Sequence, residues 1–254
     1  MKKTLIFFVL LLCCSVTNAA TIVDEGFESN NMGTNPVEWD IWEQTGYGDA
    51  SVDNTYALTD EKALKLETLA STSDYYITYA RKHFEPQNNS FILELNMYTT
   101  TDCGHKSFSL RGTGIYNEGH IFGFGLGDTS GVSGNTIVTQ DGYSVLQTHG
   151  TYKKDHWYHI LVTLNNDNTV NLNIDGTNYG NYPFNPLALG TGIEVLDIRA
   201  ARLSTCSIFW VDDIKISNEK IIPPTNGEVP EFTVAGLISV VLLGVGIAVL
   251  NKKK

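Results

Sequence analysis

Trp157-Tyr158-His159-Ile160-Leu161-Val162-Thr163, followed by Val170-Asn171-Leu172-Asn173-Ile174-Asp175-Gly176, is the stretch that decides the fold. In the first segment Tyr158, Ile160 and Val162 fall on one side of an extended chain. In the second, Val170, Leu172 and Ile174 line one side, with Asn171, Asn173 and Asp175 opposite. A period of two marks a strand with one buried face. The polar turn Asn165-Asn166-Asp167-Asn168 joins the segments, and Asp175-Gly176 marks the next turn.

The same pattern continues outward. Ala63-Leu64-Lys65-Leu66-Glu67 alternates apolar and charged residues, and Ser90–Met97 carries Phe91, Leu93, Leu95 and Met97 in one row. Ser107–Leu110 and His120–Leu126 are short aromatic-rich runs ended by glycines. Thr59–Thr68 reads as a loop entering a strand. Gly and Asn cluster at Asn30–Gly33, Gly127–Gly134 and Asn178–Asn181, which is loop chemistry. Residues 21–217 show no sustained helical period and no internal repeat. Many short strands at regular spacing predict an all-β fold, an antiparallel two-sheet jelly-roll sandwich.

These segments resemble the laminin-G-like, concanavalin-A-like jelly rolls, in which a Trp-led strand, an Asp/Asn turn and a strand ending Asp-Gly recur. The opening Asp24-Glu25-Gly26-Phe27-Glu28, with Pro36 and Trp39, resembles the start of several carbohydrate-binding jelly rolls. The closing Phe209-Trp210-Val211-Asp212-Asp213-Ile214 resembles their last strand. The likeness spans about Thr21 to Ser217 and speaks to fold more than to ligand.

The two ends carry addressing signals. Residues 1–20 join Met1-Lys2-Lys3 to the apolar run Leu5–Leu12 and finish on Asn18-Ala19-Ala20, the layout of a secretory signal peptide. Residues 218–229 form a linker containing Pro223-Pro224-Thr225-Asn226-Gly227. Phe232 to Leu250 is apolar apart from small polar residues; as a helix it would span roughly 28 Å, close to a bilayer core. Lys252-Lys253-Lys254 follow, as the positive-inside rule requires. Residues 230–254, opening on Pro230, Glu231 and Phe232, resemble the archaeal PEF-CTERM sorting segment. That resemblance implies a membrane transpeptidase (an archaeosortase) as partner, cleavage near the motif and transfer to another anchor. An uncut transmembrane helix is the alternative. Either way the expectation is an extracellular-face protein anchored to the cell membrane or surface.

Composition narrows function. The formal net charge is −11, and five of the seventeen basic residues lie in the two ends, so the exported body is more acidic still. Such a surface repels phosphates and disfavours nucleic acid. Of the four cysteines, Cys13 and Cys14 belong to the leader. Cys103 and Cys206 remain, an even pair outside the cell that predicts a disulfide worth roughly 4–5 kcal/mol.

Three constellations are candidate sites. Asp212 shares the parity of Ile208, Trp210, Ile214 and Ile216, so the pattern predicts a carboxylate in a buried row. In the jelly rolls it resembles, first and last strands adjoin and a structural calcium often sits there; Glu25, Glu28 and Asp212 would be its ligands. The alternative is a hydrogen-bonded aspartate at a bulge. Second, Glu38-Trp39-Asp40-Ile41-Trp42-Glu43 matches Glu-x-Asp-x-x-Glu and resembles the catalytic strand of laminarinase-type endo-β-glucanases. The resemblance implies Glu38 as nucleophile, Asp40 as its tuner and Glu43 as acid/base. Its place near the start of the exported body favours a solvated acidic edge instead. Third, Tyr75, Ile77 and Tyr79 share a face opposite Tyr76 and Thr78, and Trp42, Tyr47, Tyr116, His120, Trp157 and Tyr182 lie elsewhere. Exposed aromatics suit sugar rings, but they are ordinary strand residues too. His156 and His159 fall on opposite faces of a strand and make poor joint metal ligands. Asn88-Asn89-Ser90 is a glycosylation sequon. No Gly-x-Ser-x-Gly, His-Glu-x-x-His or Walker loop occurs. The expectation is a non-catalytic binding module for glycans or envelope proteins, with a structural envelope component as the alternative.

Overall fold

A computed structural model describes residues 20–218 apart from 44–45, 70–75, 89–90, 103, 128–134, 142–143, 166 and 203–206. The leader, Cys103, Cys206, the linker beyond Asn218 and the Pro230–Lys254 tail therefore lie outside the described residues. The described residues belong to one compact unit.

The body is all-β, two antiparallel sheets face to face. The first sheet runs β13 (Thr177–Pro183), β12 (Thr169–Ile174), β11 (His156–Leu164), β6 (Ile92–Thr99), β15 (Ser207–Ser217), β4 (Ala63–Thr68), β3 (Gly48–Asp53), and β1 (Thr21–Glu25) also pairs with β15. The second runs β10 (Ser144–Thr151), β9 (Thr136–Asp141), β8 (His120–Gly127), β7 (His105–Gly112), β14 (Ile193–Arg202), β5 (Tyr76–Gln87), β2 (Asp40–Glu43). No helix among the described residues is long and apolar enough to cross a membrane.

The alternation seen in sequence fills the space between the sheets. Tyr158, Ile160 and Val162 of β11 and Val170, Leu172 and Ile174 of β12 all join the core, opposite Phe108, Leu110, Phe122 and Phe124 of the second sheet. Each such side chain buried from water contributes about 1.5–3 kcal/mol. Asp175 and Gly176 both take positive φ, +50° and +79°, which is what a tight two-residue hairpin between right-twisted strands requires. The opening loop is anchored by Phe27 and Trp39, both buried, with rings 5.9 Å apart.

Two local expectations are corrected. Asn178–Asn181 is not a loop but part of the edge strand β13. Gly180, at φ +107°, absorbs a register shift against β12, and Asn171 Nδ2 donates to Asn178 and Asn181 Oδ1 at 3.2 and 2.9 Å, so the amides pair across the strands. The parity assumed for the last strand also fails. Phe209, Val211, Ile214 and Ile216 enter the core, whereas Ile208, Trp210 and Asp212 lie on the other face. A bulge at Asp212–Asp213, with Asp213 at φ +50°, inverts the alternation midway. At that point one edge of β15 passes from β4, paired through Val211, to β1, paired from Ile214.

Candidate functional site

The second sheet turns its other face away from the core, and the registers bring the chain's rare arginines together there. In β14, Leu196, Ile198 and Ala200 point inward, which leaves Asp197 and Arg199 outward. Cross-strand pairing places Arg81 of β5 and Ser109 of β7 directly beside Asp197. Arg111 lies one outward position further along β7. Three of the chain's four arginines thus meet on one carboxylate. Asp197 Oδ2 accepts from Nη2 of Arg199 at 2.6 Å and of Arg81 at 3.1 Å, and forms an ion pair with Arg111 Nη2 at 3.0 Å. The carboxylate is fully buried, whereas the Arg81, Arg111 and Arg199 side chains keep 25%, 14% and 13% of their surface, so it is the cations that face solvent. Burial would push the Asp197 carboxyl up; the Arg199 hydrogen bond and the charges of Arg199, Arg81 and Arg111 outweigh it and hold the group below the usual carboxylate range.

The rest of the face is built around this group. Arg81 sits 4.6 Å from the centre of the Tyr79 ring, and Trp42 of β2 stacks on Tyr79 at 5.6 Å and 14° from parallel. Trp42 is 43% exposed. On the other side β8 offers almost no side chains outward, because Gly123 and Gly125 alternate with the core residues Phe122, Phe124 and Leu126. The bare backbone has a reason: a Cβ on Gly125 would lie 2.5 Å from His105 Cε1, and one on Gly123 would lie 3.2 Å from Gln140 Cβ. The imidazoles of His105 and His120 are neutral at ordinary pH. Burial, then the Arg199 and Lys106 charges, pushes His105 down to about 4. Burial, then Arg111 and Arg199, pushes His120 down to about 4. Buried polar atoms here still lack partners among the described residues: Arg81 Nε, Arg111 Nε, Asp197 Oδ1, Ser109 Oγ and His105 Nδ1.

The residues singled out in sequence are dispersed. Glu25 Oε1 accepts from Phe27 N at 2.8 Å, and Glu28 Oε1 accepts from the backbone of Glu61 and Lys62 at 3.1 and 2.8 Å. Asp212 is fully buried but saturated by three backbone N–H groups, those of Leu58, Thr59 and Asp213, at 2.9, 3.2 and 2.8 Å. Burial still leaves its carboxyl above the usual range. The Lys62 ammonium occupies the carbonyls of Glu28 and Asn30 at 2.6 and 2.9 Å. A calcium ion would need those oxygens free, so the residues present do not fit one, and no metal-holding cluster of His, Cys, Asp and Glu occurs among the described residues.

The acidic hexapeptide does not converge either. Glu38 precedes β2 at φ +63° and pairs with Lys82 at 3.1 Å. Asp40 is exposed on the outward face and pairs with His83 at 3.1 Å. Glu43, three residues on in a strand, faces the other way and accepts from Ala50 N at 2.9 Å. His156 and His159 have separate partners, Asp175 at 3.0 Å and Glu94 at 2.7 Å. Among the aromatics, Trp157 packs with Tyr56, Tyr98 and Trp210 in a small cluster on the first sheet's outer face, where Trp210 Nε1 donates to Asp53 at 2.9 Å.

The arginine cluster escaped the sequence reading. Its signal was present on each strand: Tyr79/Arg81/His83 around Ala80, Ser107/Ser109/Arg111 around Phe108 and Leu110, Asp197/Arg199 between Leu196, Ile198 and Ala200, and glycine alternating with phenylalanine at 122–125.

The sequence matches no protein-family model and no curated protein. Solved structures share the fold at low identity. Cellulose induced protein Cip1 is 16% identical with a TM-score of 0.58, over 78% of this chain and 98% of that one. A GH131 β-glucanase catalytic domain from Podospora anserina is 11% identical at 0.56, over 80% and 98%. The T. cruzi calreticulin globular domain is 13% identical at 0.54, over 79% and 89%. These likenesses establish a jelly-roll-like fold, and a fold of this kind carries more than one function.

Proposed function

We propose that this chain is a cell-surface glycan-binding module without catalytic activity, which takes its ligand on the outward face of the second sheet. The observation that carries the proposal is the Trp42–Tyr79 stack, an exposed aromatic surface beside a row of hydrogen-bonding groups. A sugar ring presents an apolar C–H face and polar edges, which such a surface matches. The fold neighbours include a β-glucanase domain, but here Glu38 and Glu43 each have a separate partner, which favours binding over hydrolysis.

The leader and the tail support export and retention. The Lys-rich start followed by Leu5–Leu12 suits secretion, and the Pro230-Glu231-Phe232 segment with its apolar run and lysines suits a membrane anchor handled by a sorting transpeptidase. A tether raises local concentration, so a weak single site would suffice.

The test is a glycan array with the full chain in mild detergent, run with and without EDTA and repeated with Trp42→Ala. Binding that survives EDTA and falls at least tenfold in the variant is expected. Absence of binding to every glycan would turn the assignment toward a structural envelope component. Mass spectrometry of the native C-terminus addresses sorting: an intact Lys254 would contradict cleavage near Pro230.

A further inference from the structure

The cluster at Asp197 gathers three guanidiniums, those of Arg81, Arg111 and Arg199, on one carboxylate oxygen. The nearest further acids do little for Arg81 and Arg111. Glu118 stands 3.7 Å from Arg111 with 71% of its side chain exposed. Asp40 lies opposite Arg81 in register, yet its carboxylate is engaged with His83. Arg81 and Arg111 also keep Nε–H groups with no acceptor, and Asp197 Oδ1 has no donor.

His105, His120, Gln140 and the serines of β7 are neutral, and Gly123 and Gly125 are bare. Three partly exposed guanidiniums thus gather on one face of a chain of net charge −11. The solvent-facing parts of the Arg81 and Arg111 guanidiniums are complementary to an anionic group. The aromatic contact continues into the cluster, since Arg81 rests on the Tyr79 ring that stacks with Trp42.

We propose that the face selects acidic sugars: a carboxylate or sulfate on the glycan is bound by Arg81 and Arg111 next to Asp197, while a neighbouring ring lies against Trp42. This deepens the glycan-binding assignment and rests on it. An acidic polymer approaching an acidic protein is repelled elsewhere, so recognition is confined to this patch and weakens as salt rises.

The experiment measures retention of the full chain on four immobilised polymers: polygalacturonate, its carboxyl-reduced neutral form, dextran sulfate and dextran. The proteins are the wild type, Arg81→Gln, Arg81→Lys and Trp42→Ala. Arg81 is the most exposed of the three arginines, so its loss leaves Asp197 two partners and the fold intact; unchanged circular dichroism and melting temperature verify this. At least tenfold tighter binding to polygalacturonate than to its reduced form, lost in Arg81→Gln and partly kept in Arg81→Lys, is expected and identifies a carboxylate. The same pattern on the dextran sulfate/dextran pair alone supports an anionic sugar and identifies sulfate. Equal binding to acidic and neutral polymers, sensitive to Trp42→Ala but not to Arg81→Gln, overturns the acidic-sugar proposal and leaves glycan binding standing. Acid-selective binding indifferent to Arg81→Gln also overturns it. No binding to any polymer removes both.

Discussion

Trp42 and Tyr79 face each other across the β2–β5 pair with their rings 14° from parallel. Tyr79 is pinned between strands and Trp42 is 43% exposed, so the two have unequal roles. Trp42→Ala should cost about 1–3 kcal/mol of stability, because more than half of the side chain is covered and the stack on Tyr79 is lost. Glycan retention should fall at least tenfold. Urea midpoints and polymer affinity, measured together, check both halves.

Asp197→Asn keeps the shape of the side chain and removes the charge that holds three guanidiniums. Removing one partner of a buried ionic group leaves the others uncompensated, at a cost of about 3–5 kcal/mol. A large drop in urea midpoint is expected, whereas Asp40→Asn, at an exposed pair, should move it by less than about 1 kcal/mol.

Acid should loosen the body before the carboxylates titrate. His105 and His120 sit at about 4 when folded and near 6.5 when unfolded, so between those values the unfolded chain binds protons that the folded one refuses. Stability is therefore full above pH 6.5 and declines as pH falls toward 4, by on the order of 3 kcal/mol for each such histidine. Asp197 is held low and stays ionised through this window. Asp212, raised by burial, has the opposite sign and offsets part of the loss. Urea titrations at several pH values should show the slope, and His105→Asn should flatten it.

Gly125→Ala should be worse than Gly123→Ala. The added methyl meets His105 Cε1 at 2.5 Å in the first case and Gln140 Cβ at 3.2 Å in the second. Displacing a buried imidazole costs about 1–3 kcal/mol, and a shift of a few tenths of an ångström costs less. Melting temperatures of the two variants rank the effects.

Asp212→Ala would strand the N–H groups of Leu58, Thr59 and Asp213. A loss of about 2–3 kcal/mol is expected. EDTA should leave the melting temperature unchanged, because Lys62 rather than a metal holds the Glu28 and Asn30 carbonyls. A melting temperature that drops on chelation would refute that assignment.

Strands with strict alternation were legible from the residues alone. β12 shows Val170, Leu172 and Ile174 on one side, and the Asp-Gly turn closes it, so nothing competes with the hairpin. β15 was legible as a strand but not in its facing, because the bulge depends on Asp213 adopting a left-handed backbone, which a non-glycine sequence does not announce. β13 was misread because an edge strand tolerates Asn and Gly that central strands do not. The site was hidden for a different reason. Arg81 and Asp197 are 116 residues apart, and only the pairing of β5, β14 and β7 makes them neighbours. The acidic hexapeptide attracted attention because it is contiguous, yet contiguity in a strand sends alternate side chains to opposite faces.

The partner exchange along β15 bears on mechanics. The first and last strands of the body lie side by side, and Ala20 N donates to Asn218 Oδ1 at 3.1 Å, so entry and exit of the chain share one pole. A pull on the C-terminal side of the body would enter at Ser217 and travel lengthwise along β15, which is flanked by β6 on one edge and by β1, then β4, on the other. The rungs on both edges lie crosswise to such a load and must shear in concert rather than unzip one at a time. The last strand of the body is thereby held on both edges against being drawn out of the sheet.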